Sequence, residues 1–354
     1  MKKLYNQIDR RVLMQRMQES DEERMTLSFY CYANIRNPQF FRDYLYTHWE
    51  ALGVMGRTYV ATEGINAQIS LPTANFEAFK EDLYSVTFLD GIRLNVAVDD
   101  DGKSFYKLKL KVRDKILADG LKDETFDVTN KGKHVNAEEF NKLITDPKTV
   151  LIDMRNHYES EVGHFQGAVL PDVDTFREEI DIVQDILDKN EHDNIVMYCT
   201  GGIRCEKASA WFKHLGYENV HQLNGGIIEY TRQVRDKELD NLYIGKNFVF
   251  DERRAERISD DVIAVCHQCG APCDDHTNCV NVACNLLFIQ CNDCKEKYEN
   301  CCSDECKDVH NLPEEEQKKL RKGKDNSNKI FKKGRSPKLK YKRPLSEKSN
   351  AVKA

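Results

Sequence analysis

Ten of the thirteen cysteines crowd into Cys266–Cys306, and only Cys31, Cys199 and Cys205 precede them. A disulfide framework would spread its cysteines through an exported fold, whereas Met1-Lys2-Lys3-Leu4-Tyr5-Asn6-Gln7 opens the chain without the apolar stretch of a signal peptide. Clustered thiols in a reducing compartment read first as a metal module. The spacing supports that reading: Cys266-x2-Cys269-x3-Cys273-x5-Cys279-x4-Cys284 is followed by Cys291-x2-Cys294 and then by Cys301, Cys302 and Cys306. Two Cys-x2-Cys turns each present two sulfurs to one ion, as tetrahedral zinc requires, so a structural zinc is expected. Ten thiols fill two four-sulfur sites with two left over. His267, His276 and His310 are alternative ligands, and spacing alone does not say which thiols share an ion. A metal-free thiol-rich fold and an iron–sulfur cluster are the competing readings.

The remaining chain must supply the folded mass. At 354 residues it holds two or three compact units, and 40% hydrophobic with 32% charged residues excludes wholesale disorder. No run approaches the ~18 apolar residues of a membrane span. The expected location is the cytoplasm, away from membranes. The formal charge of −6 hides an asymmetry, since residues 318–354 carry fifteen Lys or Arg against Asp325 and Glu347. Such a run reads either as a solvated, disordered extension or as a nucleic-acid arm.

Periodicity divides the rest. A helical leader (residues 1–25) precedes the alternating Leu27-Ser28-Phe29-Tyr30-Cys31-Tyr32, the period-2 pattern of a strand. A helix from Asn37-Pro38, strands at 56–61 and 65–71, a helix at 75–84 and extended runs at 92–98 and 107–116 follow. The order predicts a ferredoxin-like βαββαβ domain with an extra strand over residues 26–118. A polar linker spans 119–131. Residues 132–240 then alternate short apolar strands (150–153, 168–170, 195–199, 220–223) with helices (137–144, 175–187, 205–215, 227–234), the mark of a parallel α/β sheet. The Cys-rich module takes 241–310, and a disordered basic tail takes 311–354.

Within the α/β segment, Cys199-Thr200-Gly201-Gly202-Ile203-Arg204 lies where a strand turns into a helix, the place where such sheets present active sites. Backbone N–H groups around the two glycines form an anion nest, and the helix adds its positive N-terminus, so both favour a thiolate at Cys199. This Cys-x-x-Gly-x-Arg loop resembles that of rhodanese-superfamily domains, where the cysteine can carry a persulfide. Ile152-Asp153-Met154-Arg155, Glu159, Gly163-His164-Phe165-Gln166-Gly167-Ala168 and Leu223-Asn224-Gly225-Gly226-Ile227 extend the match. Phosphatases of related shape use Cys-x5-Arg, a wider cradle for a phosphate dianion; only four residues separate Cys199 from Arg204 here. Asp153 and Arg155 are candidates for ordering the site, and Cys205 either packs or resolves an oxidised Cys199.

The order of domains, with Thr62-Glu63-Gly64-Ile65-Asn66 and Phe105-Tyr106-Lys107-Leu108-Lys109-Leu110-Lys111-Val112-Arg113 in the first, resembles the oxygen-dependent tRNA uridine hydroxylases over residues 27–310. That resemblance implies hydroxylation of the wobble uridine to 5-hydroxyuridine, with tRNA as partner, molecular oxygen as substrate and Cys199 essential. A thiolate adding to uracil C6 makes C5 nucleophilic, which is the role expected of Cys199. No flavin, haem or facial iron motif is visible, and the electron donor stays open, as does oligomeric state. The alternative is a sulfurtransferase using a Cys199 persulfide; a third reading is an RNA-binding adaptor. Lys107, Lys109, Lys111 and Arg113 alternate along one strand and so share a face, where phosphates would bind while Phe105 and Tyr106 stack a base.

Overall fold

The computed structural model describes residues 4–123, 125–188, 193–322 and 333–341. It divides into two compact units: residues 1–151 with 192–241 and 249–256, and residues 152–191 with 242–248 and 257–354. The boundary thus passes through the stretch expected to form the parallel α/β domain.

In the first unit, a five-stranded sheet runs in the order Asn95–Val96, Arg24–Tyr32, Gly64–Pro72, Met55–Ala61, Leu108–Val112. All neighbours are antiparallel except the last pair, which is parallel. Alternation along Arg24–Tyr32 sends Leu27 and Phe29 into a core shared with the helices Pro38–Ala51 and Phe76–Tyr84. Trp49 sits at its centre, edge-on to Phe29 at 6.2 Å and tilted against Phe79 at 5.6 Å. The βαββαβ expectation with its extra strand is met. The last two strands are shorter than expected because side chains take over their ladder bonds. Val98 N–H donates to Glu256 Oε1 (3.1 Å), and Ile116 N–H donates to Glu63 Oε1 (2.8 Å).

A second sheet carries Lys133–Val135, Val220–Leu223 and Asn194–Tyr198, parallel to one another, and ends on Thr149–Asp153. The helices Ala137–Ile144, Ile203–His214 and Gly226–Lys237 follow its strands. Asn136 and Glu139 close a reciprocal capping box on the first of them, satisfying two N-terminal donors.

In the second unit the expected strand at 168–170 is corrected to a single bridge between Ile152 and Val169. A turn at Gly167 (φ +75°) precedes it, and the paired element is Gly163–Phe165, antiparallel to Tyr243–Phe248. The Cys-rich segment adds a hairpin, His276–Asn278 with Leu287–Ile289, and the helices Asn292–Lys297 and Asp304–His310. The expectation of a disordered tail is corrected wherever the tail is described. Glu314–Arg321 is a helix, and residues 333–341 pack: Leu339 is buried, Arg335 pairs with Asp172, and Lys333 donates to Tyr158 Oη at 2.8 Å. The physical reason is that this basic stretch meets acidic and aromatic partners instead of water. Residues 323–332 and 342–354 lie outside the described residues. Among those described, no helix is long and apolar enough to cross a membrane.

Candidate active site and the thiol clusters

Cys199 follows the strand Asn194–Tyr198, and Gly202 caps the helix Ile203–His214. Gly202 takes φ +104°, a conformation that L side chains rarely adopt, and a Cβ there would approach Tyr30 Oη to 2.8 Å. This turn aims the Gly202 N–H at Cys199 Sγ, 3.1 Å away. The other side of the loop is held from Gly226–Lys237: Ile227 N–H donates to the Cys199 carbonyl (3.0 Å) and Ile228 N–H to that of Thr200 (3.2 Å). A Cβ on Gly226 would fall 2.5 Å from both carbonyl oxygens, so only glycine permits this approach.

Cys199 is 1% exposed. Burial pushes its pKa up, but the Cys205 thiol, the Arg204 charge and the backbone N–H groups of Cys205 and Gly202 outweigh it and bring Cys199 down to about 6. The loop therefore holds a thiolate near neutrality. Arg204, itself buried, has its guanidinium 5.9 Å from the Phe250 ring centroid. Cys205 is fully buried, and its side chain is one cause of the lowered Cys199 pKa.

Sequence reasoning missed a cluster beside this loop. Glu206, in the first helical turn, accepts from Lys131, from His134 Nε2 at 2.9 Å and from Tyr30 Oη at 3.4 Å. Burial pushes its pKa up, but the bonds from His134 and Lys131 prevail and keep it an anion. Tyr30 is held as a phenol well above the usual tyrosine range, first by burial and then by the charges of Glu206 and Cys199. These residues line a cavity of about 300 Å³ that also touches Tyr32, Arg93, Asn95 and Gly201. The only hint in the sequence was Tyr30 and Tyr32 on one face of a strand.

Asp153 and Arg155 belong to the second unit. Both are fully buried, and Arg155 grips Asp153 through two bonds of 2.8 and 2.7 Å, adding Tyr243 Oη (3.2 Å) and the Gly163 carbonyl (2.7 Å). That is the geometry of a bidentate pair, with two further bonds from the same guanidinium.

The basic strand is as expected in one respect and different in another. Lys107, Lys109, Lys111 and Arg113 share a face opposite buried Leu108 and Leu110. Register adds Arg57 opposite Lys109 and Tyr59 opposite Lys111, and the Arg113 guanidinium lies 5.7 Å from the Tyr59 ring centre. Partial burial and the neighbouring charges of Lys111, Arg57, Lys107 and Arg113 lower the Lys109 pKa, the mark of crowded cations. Phe105 is corrected: at 7% exposed it is packed and not offered for stacking.

The ten clustered cysteines resolve into two groups of four. Cys266, Cys269, Cys291 and Cys294 have their sulfurs within 4.8 Å of one another, and so do Cys279, Cys284, Cys302 and Cys306. Sulfur pairs at 3.6 Å (Cys269–Cys291, Cys284–Cys302, Cys302–Cys306) match the edge of about 3.8 Å in a tetrahedron with Zn–S bonds of about 2.3 Å. The donor set and spacing fit zinc. Cys273 and Cys301 stand outside both groups, buried in the two small apolar clusters of the module. His267 is engaged elsewhere, with Glu161 Oε1 at 2.9 Å. The groups interleave along the chain, first pair with third and second with fourth.

Three family models match successive segments of the chain. Residues 24–116 match the family described as UPF0176 acylphosphatase like domain, 136–233 the Rhodanese-like domain, and 244–307 the Rhodanase C-terminal family. A tRNA uridine(34) hydroxylase of Photorhabdus laumondii is 56% identical over 333 residues, 94% of this chain and 95% of that one. The protein of the same name from Leptospira interrogans is 53% identical over 94% and 90%, and that from Cronobacter sakazakii 55% over 94% and 95%. With identity of this order along nearly the whole length, the chain belongs to the tRNA uridine(34) hydroxylase family.

Proposed function

We propose that the protein hydroxylates uridine 34 of tRNA at C5, giving 5-hydroxyuridine with one oxygen atom drawn from molecular oxygen while the other leaves as water with two electrons and two protons from an external two-electron reductant, and that Cys199 is the catalytic residue. The observation that carries this reading is a buried thiol brought to about 6 and held by backbone donors in a strand-to-helix loop, in a chain whose relatives carry the hydroxylase name. A thiolate at neutral pH is the nucleophile that addition to uracil C6 requires. Arg204 and Cys205 support its charge. Asp153 and Arg155 act as ordering residues, holding the strand end at Asp153 in one conformation. The face of Lys107, Lys109, Lys111 and Arg113, enlarged by Arg57, holds tRNA phosphates.

Zinc, where bound, would be held by the two four-cysteine groups, and its contribution is to fold the Cys-rich segment. The eight ligand thiols do no chemistry on uridine. We place the reaction in the cytoplasm, where tRNA is.

Incubation of the purified protein with tRNA and a two-electron reductant under labelled oxygen gas, followed by nucleoside mass spectrometry, tests the reading. One labelled oxygen at position 34 is expected. Sulfur in place of oxygen would instead establish the persulfide sulfurtransferase.

A further inference from the structure

The cavity next to the Cys199 loop has a composition that selects a ligand. Its walls include two tyrosines, Tyr30 and Tyr32, whose ring centroids lie 6.1 Å apart at 67°, and part of its lining is Gly201, two residues from Cys199. Glu206 also lines it. At about 300 Å³ it sits at the small end of small-molecule sites and suits one nucleoside rather than a dinucleotide. Aromatic faces stack any base, so they do not choose among bases. The choice falls to a polar group.

We propose that this cavity receives the base of tRNA position 34 and that Glu206 selects uracil by accepting the hydrogen bond of its N3–H. The assignment rests on the hydroxylase reading above and adds the source of its base specificity. A carboxylate is an acceptor-only group. Uracil presents a donor at N3, whereas cytosine presents a lone pair there, so the same oxygen that binds one repels the other. The three donors to Glu206, namely Lys131, His134 and Tyr30, occupy three of its roughly four lone-pair sites and leave one for a ligand. They also fix the carboxylate, so that little ordering is left to the moment of binding. Lys131 and Arg93, both at the cavity, bring positive charge for the flanking carbonyls and the nucleotide's phosphate. An anticodon-loop base is already unpaired, which keeps the cost of turning it into a pocket low.

Binding of anticodon stem-loops carrying uridine, cytidine or 3-methyluridine at position 34 tests this, using the full chain with Cys199→Ala so that no turnover intervenes. The expected result is at least tenfold tighter binding of uridine than of either other base, collapsing to about threefold or less when Glu206→Gln is added, since the amide can offer a donor to cytosine N3. A preference unchanged by Glu206→Gln, or no preference in the Cys199→Ala parent, overturns the assignment. A merely structural Glu206 would weaken all three ligands alike. If Glu206→Gln does not fold, 4-thiouridine at position 34 is irradiated on the Cys199→Ala protein: crosslinks at Tyr30 or Tyr32 support the pocket, and crosslinks elsewhere overturn it. Failure of the wild-type chain to modify uridine 34 while the base preference holds would remove the hydroxylase reading and leave the pocket standing.

Discussion

Two populations of cysteine in one chain show how environment divides the same thiol between two jobs. Cys199 lies at a strand end, where a glycine N–H at 3.1 Å, a neighbouring thiol and a guanidinium favour its charge against burial. In the Cys-rich segment sulfur meets sulfur, with four thiols inside 4.8 Å of one another twice over. Backbone donors and one cation make a nucleophile, whereas a ring of thiols makes a ligand set. A persulfide or an adduct suits the first environment; only a cation suits the second.

The largest effect should separate the two populations by metal. Elemental analysis should find two zinc ions per chain, one for each four-cysteine group. Strong chelation, or Cys302→Ser, should cost the second group its folding energy, of order 10 kcal/mol for a structural zinc, and open the segment after residue 257 to proteolysis. The interleaved pairing means that losing either ion loosens the chain between the ligands of the other. Metal-free protein with unchanged thermal stability would break the comparison.

A smaller effect should appear in the pH dependence of Cys199. Its pKa is lowered from 9.0 to about 6, so the thiolate should titrate near pH 6 in a difference spectrum between wild type and Cys199→Ala. The sign is that of a depressed acid: the stabilisation is complete above the unfolded value and lost as pH falls through about 6. Arg204→Gln or Cys205→Ala should each move the inflection upward, by about one unit for the loss of the charge. An inflection near 9 in the wild type would remove the contrast with ordinary thiols.

The smallest effect concerns tRNA affinity. Lys109→Glu or Arg57→Glu should weaken binding and lower the slope of log affinity against log salt by roughly 0.7 for each phosphate no longer neutralised. Turnover at saturating tRNA should stay near wild type, because this face supplies attraction and Cys199 the chemistry. An unchanged slope would confine recognition to other surfaces.

How much of this was legible in the sequence follows the range of the interactions. The Cys199–Arg204 loop was readable because strand, turn glycines and helix are consecutive residues. The Cys-x2-Cys pairs were readable for the same reason, but their interleaving depends on how the hairpin His276–Asn278 with Leu287–Ile289 folds the segment, a long-range fact that spacing does not encode. Glu206, His134 and Tyr30 come from three distant segments, and no local pattern marks them as one cluster. Arg57 joined the basic face only through strand register. The tail misled in another way: composition reports solubility, yet Asp172 and Tyr158 gave Arg335 and Lys333 partners that composition does not reveal.

The central claim is that Cys199, alone among the thirteen cysteines, performs the reaction on uridine. Nucleoside mass spectrometry of tRNA from cells lacking the gene, complemented with wild type or with Cys199→Ala, tests it most directly. The account predicts 5-hydroxyuridine at position 34 restored by the wild type and absent with Cys199→Ala, while the variant protein accumulates with near wild-type thermal stability. Wild-type levels of 5-hydroxyuridine with Cys199→Ala would contradict it.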